Sequence, residues 1–476
     1  MVWQIRDGTY QRLLGDSEYS LFLGSQNAVG DMFLHLAVRA PRHYFREERV
    51  QIAWGLIRRK NPLLMCKVLV DGDDLSTARF SLSPPTTSEE ALHEAAAALR
   101  FSHETKNELI SAYMDGTRVL SNEYLSYLII SESETSSDQD VSQYDILMCA
   151  PHFIGDGTAL HQSTHELLCL LTSDKTDTEL AKELDVAQNW MDVLPLSVEA
   201  RLSAPSSALG KAACKINYLQ ALSREIGGHT LSRVQRGAKH TILDECEFSE
   251  AQTSAILAKC KANGVTVNHA LVALCNIAWA RCTSQSLELP IMLYTAANLR
   301  SHLSPHISSS HWFLALAYFT ISLPAFPPAN NAGVWHRARL SKTQMQQAVR
   351  SPLLPARALL SAASRARRAS APSAFVPPPS ESPDLPKRPA ASAALLGISL
   401  IGDLDRTYVR TLYGSGVQLL SVMTASRLKP GGLLLLGHSF GGRLALQLCW
   451  DEMGFAEGEV ERFWSAFTNA VPEFLS

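Results

Sequence analysis

The segment from Tyr144 to Thr172 constrains the fold more than any other stretch of this sequence. Its first seven residues, YDILMCA, are mostly apolar, which is typical of a strand buried on both faces. A short turn with two glycines follows, and the next residues, TALHQSTHELLCLLT, return to helical spacing. The segment therefore predicts a buried strand, a short turn and a helix in direct succession.

Further strands and helices are predicted in both halves of the chain. ERVQIAWGLIRRK predicts a helix that ends before Pro62, and MCKVLV predicts the strand after it. In the second half, Asn263-Gly264 separates two helices, and Ser249 with Gln252 predicts a capping box at the start of the first. The remaining predicted strands are LPIMLYTAA, LALAYFTISLP, ALLGISLIG and GLLLLG. Both halves of the chain are therefore expected to contain strands and helices.

The chain has 476 residues, which is too long for one ordinary core, so two or three domains are expected. We predict an N-terminal subdomain over 1–185 and a C-terminal subdomain over 241–476. The polar, weakly patterned residues 186–240 are predicted to connect them. Residues 351–390 hold 9 of the 23 prolines amid alanine and serine, which predicts a loop or disordered insertion.

Composition excludes several classes of protein. A formal charge of -3 gives no reason to expect nucleic acid or an anionic membrane as a partner. No apolar stretch is long enough to span a bilayer, and the N-terminus lacks the apolar region of a signal peptide. Nine scattered cysteines without a C-x-x-C pair suit a reducing compartment and no structural zinc. A cytoplasmic protein without a membrane span is expected.

The strand GLLLLG leads into Gly437-His438-Ser439-Phe440-Gly441, which fits the G-x-S-x-G elbow of serine hydrolases. In that fold, the catalytic triad follows the chain order serine, acid, histidine. Only 37 residues follow Ser439, and no histidine is among them. A histidine from earlier in the chain could serve, because triads occur in several orders. We expect instead that the glycines let a late structural strand turn.

The stronger candidate is CAPHFIGDGTALH, in which His152 and Asp156 lie four residues apart after a buried strand. Glycines on both sides of Asp156 permit a tight turn. A histidine held there can act as a general base. Two other pairs with this spacing lie in a predicted helix and a predicted strand and lack the turn; they are His43/Glu47 and His240/Asp244.

Two other interpretations of this turn are possible. In the first, Asp156 only caps the following helix and His152 is an ordinary loop histidine. In the second, His161 and His165, which are one helical turn apart, bind a metal ion together with His152. Residue 162 is Gln, so H-E-x-x-H is absent, and the sequence places no carboxylate as a third ligand. We expect no metal.

Several segments together resemble the CoA-dependent acyltransferase superfamily, which includes chloramphenicol acetyltransferase, condensation domains, plant BAHD enzymes and fungal O-acyltransferases. The resemblance covers most of the chain and is closest to fungal enzymes that acetylate alcohols of secondary metabolism, terpenoids among them. The matching segments are RLLGDSEYSLFL, AWGLIRRKNPLLMCKV, HFIGDG, YTAANLRSHL and GISLIGDLDRTY.

The resemblance implies an α/β fold of the α+β type with mixed sheets, in two chloramphenicol-acetyltransferase-like domains with a channel between them. Acyl-CoA, with acetyl-CoA as the expected co-substrate, and a small-molecule alcohol would enter from opposite sides. His152 would deprotonate the hydroxyl, which attacks the thioester directly, and Asp156 would be structural and paired with Arg300. Ser399 would stabilise the oxyanion. The supporting residues would be Gly155, Gly157, Asn298 and Arg300.

The resemblance also implies that no cofactor is permanently bound, and a monomer is expected. Pro151 stands where peptide-forming condensation domains have a second histidine, which favours ester over amide formation. The plant-type D-F-G-W-G motif is absent. Two rival functions remain open. One is an ester or thioester hydrolase that uses Ser439, and the other is a non-catalytic binding protein with this fold.

Overall fold

The computed structural model describes residues 2–135, 140–223, 228–283, 287–304, 310–328, 330–370 and 394–476. The strands are β1 (Gln4–Arg6), β2 (Thr9–Leu13), β3 (Asp31–Pro41), β4 (Lys67–Asp71), β5 (Asp74–Leu82), β6 (Leu99–Ser102), β7 (Tyr127–Thr135), β8 (Val141–Pro151), β9 (Thr241–Phe248), β10 (Pro290–Asn298), β11 (Leu316–Pro324), β12 (Leu396–Asp403), β13 (Gln418–Ser426), β14 (Leu433–Phe440) and β15 (Arg443–Asp451).

The helices fill most of the segments between these strands. They are α1 (Asp16–Ser25), α2 (Glu47–Lys60), α3 (Ser88–Ala97), α4 (Lys106–Asp115), α5 (Gly157–Leu171), α6 (Asp177–Leu184), α7 (Trp190–Val193), α8 (Val198–Arg201), α9 (Ala208–Leu222), α10 (Glu250–Ala262), α11 (Val267–Cys282), α12 (Asn331–Val349), α13 (Leu354–Ser370) and α14 (Glu459–Leu475). No helix in the described part of the chain is both long and apolar enough to cross a membrane.

The chain forms two compact units, and each is assembled from three separate stretches of sequence. The first unit contains Met1–Leu202, Arg300–Ala315 and Asp403–Arg427. The second contains Ser203–Leu299, Leu316–Gly402 and Leu428–Ser476. Two short segments from the C-terminal half therefore pack within the first unit. The predicted domain boundaries, which assume continuous stretches, stay predictions.

The first unit contains two sheets, of which the larger positions the candidate site. Its strand order is β13-β3-β8-β7-β6, and the smaller sheet has the order β1-β2-β5-β4. β3 and β8 pair antiparallel over their full lengths, from Asp31 opposite Pro151 to Pro41 opposite Val141. Both strands are almost entirely buried, as the mostly apolar segment YDILMCA of β8 predicts. The sheet thereby fixes the point at which the chain leaves β8.

The second unit contains one sheet with the strand order β11-β10-β12-β14-β15-β9. Alternate residues of its strands join α11 and α14 in a single apolar core cluster. Leu396 and Ile398 of β12 belong to this cluster, as do Leu433 and Leu435 of β14. Because side chains alternate along a strand, the intervening residues face the opposite side of the sheet.

The predicted fold class, α/β with mixed sheets, is confirmed. Parallel pairs, β6 with β7 and β10 with β12, occur within sheets that also contain antiparallel pairs. The predicted helix before Pro62 is α2, which buries Val50, Ala53, Trp54 and Ile57 along one stripe. The predicted capping box is present at the start of α10, where Ser249 and Gln252 exchange hydrogen bonds.

Two segments predicted to lack regular structure are partly helical. The connecting segment contains α9, which buries only Cys214 and so lacks a recognisable apolar stripe. The predicted insertion begins with α13, because Pro355 falls in the first turn of that helix, where proline is tolerated. The rest of the insertion, residues 371–390, lies outside the described residues.

The two other histidine–acid pairs with this spacing, His43/Glu47 and His240/Asp244, differ from each other in the structure. His43 lies in a 3-10 turn, Arg42–Phe45, that ends before α2 begins at Glu47, so the predicted shared helix is wrong. Asp244 lies in β9 as predicted, with His240 just before the strand. His43 and Glu47 also lie between a strand and a helix, but Glu47 is inside α2 and does not cap it, whereas Asp156 is the N-cap of α5.

Candidate active site

The chain leaves β8 at Pro151, turns through residues 152–156 and enters α5 at Gly157. Asp156 is the N-cap of this helix, and its Oδ1 accepts a hydrogen bond from the backbone N–H of Ala159 at 3.3 Å. Its backbone is extended, with φ -142° and ψ -178°, as an N-cap requires. Asp156 therefore caps α5, as the capping interpretation predicts, but the cap is not its only contact.

His152 is held by the turn itself. The Nδ1 atom of its half-buried imidazole lies 2.8 Å from the carbonyl oxygen of Gly155. A carbonyl oxygen can only accept, so Nδ1 carries the proton in this contact and donates it. In the neutral ring, Nε2 then bears the lone pair. The geometry presents His152 in the tautomer that a general base working through Nε2 requires.

The Asp156 carboxylate has a second partner, from the other half of the chain. Arg300 Nη1 donates to Asp156 Oδ2 at 2.7 Å, and both residues belong to the first unit. Asp156 is 2% exposed, so the cation is needed to offset the cost of burying its charge. Arg300 Nη2 also donates to the carbonyl oxygens of His311 and Phe313, at 3.2 Å each. The expected pairing is present, whereas the roles of both residues remain predictions.

Gly155 is a position where a side chain would not fit. A Cβ atom there would lie 2.6 Å from Cε3 of Trp312, a residue that is fully buried. The Trp312 indole Nε1 donates to Ser163 Oγ on α5 at 2.6 Å, which fixes the ring. The ring therefore packs against the same residue whose carbonyl oxygen holds His152. Trp312 was not identified from the sequence, because 157 residues separate it from Gly155.

The two histidines of α5 are engaged by tyrosines. His161 Nδ1 lies 3.0 Å from the hydroxyl of Tyr408, and His165 Nδ1 lies 2.7 Å from that of Tyr413. Burial lowers the pKa of His165, so the neutral ring is favoured in the folded protein. Within the described residues, no group of three or more His, Cys, Asp or Glu is arranged to hold a metal ion. Both histidines are therefore hydrogen-bonded to the segment 403–427.

The remaining predicted site residues lie in the second unit. Asn298 is the last residue of β10, and Ser399 lies in the middle of β12, next to the pairing of Thr295 with Ile398. Ser399 faces away from the apolar core cluster, because its neighbour Ile398 belongs to that cluster. The first unit brings together the other five predicted residues, which are His152, Gly155, Asp156, Gly157 and Arg300.

Ser439 occupies a hairpin and not a nucleophile elbow. It lies in β14 opposite Leu444 of β15, and the chain reverses through Gly441 and Gly442. These glycines have φ values of 59° and 72°, the left-handed values of a two-residue hairpin turn. An elbow requires a strand that turns into a helix. Ser439 alternates in phase with Leu435 of the core cluster, so it projects from the sheet face opposite to Ser399.

Comparisons with known proteins agree with this fold. Residues 240–375 match the family model described as the phthiocerol/phthiodiolone dimycocerosyl transferase C-terminus. No curated protein sequence matches the chain.

Solved structures match nearly the whole chain at low sequence identity. Trichothecene 15-O-acetyltransferase TRI3 from Fusarium sporotrichioides has a TM-score of 0.82 at 16% identity, over 100% of this chain and 98% of its own. Polyketide synthase associated protein 5 from Mycobacterium tuberculosis has 0.62 at 13%, over 98% and 99%. The condensation domain of the Monacolin K polyketide synthase MokA has 0.63 at 11%, over 100% and 98%. The chain has the fold that these three proteins share.

Proposed function

We propose that this protein is an O-acyltransferase that moves an acetyl or other short acyl group from acyl-CoA to a hydroxyl of a small natural product. The contact between His152 Nδ1 and the Gly155 carbonyl oxygen, at 2.8 Å, carries the proposal, because it leaves Nε2 able to accept a proton. The fold is shared with a trichothecene 15-O-acetyltransferase, which supports an alcohol as the acceptor.

In the proposed reaction, Nε2 of His152 takes the hydroxyl proton as the alcohol oxygen attacks the thioester carbonyl carbon. The resulting oxyanion collapses, the carbon–sulfur bond breaks, and the proton passes from His152 to the CoA sulfur. The acyl group ends on the alcohol, and no covalent acyl-enzyme forms. Ser399 is proposed to donate a hydrogen bond to the oxyanion. This hydrogen bond would act only in the transition state.

Asp156 and Arg300 are proposed to hold the turn, and to take no part in proton transfer. The carboxylate has Arg300 and the N–H of Ala159 as partners, whereas the imidazole has the Gly155 carbonyl. This separates the pair from a catalytic triad, in which the acid binds the histidine ring directly. An ester product is proposed in preference to an amide, because the resemblance implies a second histidine before His152 in peptide-forming enzymes and Pro151 stands there.

Incubation of the full chain with acetyl-CoA and a panel of terpenoid and polyketide-like alcohols, followed by mass spectrometry, tests the proposal. A product heavier than its alcohol by one acetyl group is expected. His152→Ala should lower its rate of formation by about 10²–10⁴-fold, since general-base assistance is removed. His93→Ala serves as the matched control, because His93 is exposed on α3. Near-full activity in His152→Ala would refute the assignment.

A further inference from the structure

His152 has a second attachment, on its backbone. Its N–H donates to the carbonyl oxygen of Gly30 at 2.9 Å, directly beside the pairing of Asp31 with Pro151. Gly30 has φ 85° and Ala28 has φ 59°, so the chain enters β3 through two left-handed residues. For alanine this backbone is strained, so surrounding contacts must maintain it.

A buried ion pair lies at this position. Asp31 is fully buried, and its carboxylate accepts two hydrogen bonds from Arg118, from Nε at 2.5 Å and from Nη2 at 2.9 Å. Such a two-pronged contact fixes the carboxylate in both distance and plane. Burial nevertheless raises the pKa of Asp31, against the opposing influence of Arg118. A buried carboxylate of this kind is costly without its cation.

A third segment, at Arg427, is hydrogen-bonded to both Gly30 and Asp31. The N–H of Gly30 donates to the carbonyl oxygen of Arg427, and the N–H of Arg427 donates to that of Asp31, both at 2.8 Å. The Arg427 side chain donates to the carbonyl oxygens of Tyr113 and Gly116, at 2.6 and 2.9 Å. The start of β3, the end of β13 and the segment after α4 are therefore joined at the residue that holds His152.

We propose that Asp31 and Arg118 are positioning residues for the reaction, acting through the Gly30 carbonyl on the backbone of His152. Their ion pair holds the first residue of β3 in place, and the adjacent carbonyl then sets the depth at which the imidazole emerges from the sheet. The inference rests on the proposed function for its kinetic consequence. Its structural consequence, a displaced His152, is independent of the reaction.

Asp31→Asn is the first variant, because it keeps the shape of the side chain and removes the charge. A displacement of about 1 Å at a catalytic group can lower the rate by about 10²-fold, so we expect kcat to fall by about 10- to 100-fold with KM for acetyl-CoA unchanged. Arg118→Gln should do the same, whereas Arg118→Lys should restore part of the rate because it retains the charge. Asp177→Asn is the control, since Asp177 pairs with Arg49 near the far end of α5.

A double-mutant cycle separates positioning from a general loss of stability. If Asp31 acts through His152, then Asp31→Asn should cause no further loss of rate in a His152→Ala protein. An equal loss in both backgrounds would overturn the proposal, as would a folded Asp31→Asn protein with unchanged kcat. Thermal unfolding of each variant identifies those that remain folded, and Arg118→Lys keeps the test decisive if Asp31→Asn does not fold.

Nuclear magnetic resonance of protein labelled with ¹⁵N-histidine provides a readout that does not depend on activity. The chain has 15 histidines, and the signal missing in His152→Ala identifies that residue. Asp31→Asn should shift the His152 ring signals, and Asp177→Asn should leave them unchanged. If the His152 signals move but no acyl transfer is found with any alcohol, the proposed function fails and the positioning role stands. If they do not move, the positioning role fails.

Discussion

Two turns in this molecule look alike in sequence and differ in what they build. Residues 152–157 follow the buried strand β8, residues 441–442 follow the buried strand β14, and each turn contains two glycines. The first leads into a helix and contains a histidine and a buried carboxylate, which pairs with the distant Arg300. The second reverses the chain into a neighbouring strand of the same sheet. Glycine content alone therefore does not identify a catalytic turn.

The segment after each turn explains the difference. After Gly157, apolar residues recur at helical spacing, and Asp156 supplies the N-cap that starts the helix. After Gly442, RLALQLCWD is a strand, and both hairpin glycines adopt the positive φ values that a tight reversal needs. The motif around Ser439 matches the G-x-S-x-G sequence of a nucleophile elbow, but a strand follows it where an elbow requires a helix.

The largest expected difference between the turns is chemical. His152→Ala should reduce acyl transfer by about 10²–10⁴-fold, whereas Ser439→Ala should stay within about an order of magnitude of the parent, with any loss due to packing. A fluorophosphonate probe, which labels only activated serines, should leave the wild-type protein unlabelled. If a folded Ser439→Ala protein no longer transferred acyl groups, the two turns would not differ chemically, and the hydrolase alternative would be restored.

The second difference concerns charge, which only the first turn buries. Asp156→Asn and Arg300→Ala should each lower the free energy of unfolding by about 3–5 kcal/mol, because each leaves a partner stranded. The double variant should lose less than the sum, as expected for residues that share one interaction. Denaturant unfolding of the four proteins measures this coupling. Strictly additive losses would show that the two side chains do not meet in solution.

A third, smaller difference lies in what surrounds the glycines. Gly155→Ala places a methyl group against the buried Trp312 ring, and we expect a loss of about 1–3 kcal/mol together with reduced kcat. In the hairpin strand, Gly437→Ala would meet the flexible ends of Leu400 and Leu446, at 2.8 Å each. We expect a loss of stability there with kcat unchanged. Equal effects on kcat would contradict the assignment of the two turns.

The smallest effect is expected at Gly442, whose φ is 72°. Gly442→Ala should cost about 1 kcal/mol, because a side chain on left-handed backbone is strained. Gly442→Asn should cost less, since asparagine tolerates that conformation. Thermal unfolding of the two variants distinguishes them, and the opposite order would mean that the hairpin turn has a different geometry.

Local pattern was sufficient to predict much of this molecule. The strand, turn and helix around His152 follow from apolar runs, two glycines and an N-cap, which act over a few residues. Arg300 was expected as the partner of Asp156 only through the family resemblance, since its distance along the chain carries no local signal. Trp312, Tyr408 and Tyr413 are also far along the chain from the residues they contact, and they were not predicted. Their contacts with the turn and with α5 depend on the tertiary fold.

Helices without a clear apolar stripe were also missed, for a physical reason. α9 buries a single cysteine, so its spacing does not differ from that of a polar connection. α13 is rich in alanine and arginine, which favour a helix, but the proline content of the surrounding stretch suggested a loop. Composition averaged over forty residues concealed a helix that fills less than half of them.

Because the first unit is divided among three stretches of sequence, its parts are synthesised at different times. β13 pairs with β3, yet the ribosome completes residue 427 only after 225 residues beyond Leu202 have been added. At about 5–20 residues per second, this takes roughly 10–45 s. During that time one edge of β3 is unpaired in the nascent chain, and Asp156 has no cation until Arg300 is added, 98 residues beyond Leu202. Chaperones that shield exposed strand edges should therefore bind the growing chain in this interval, and fragments that end before residue 427 should aggregate.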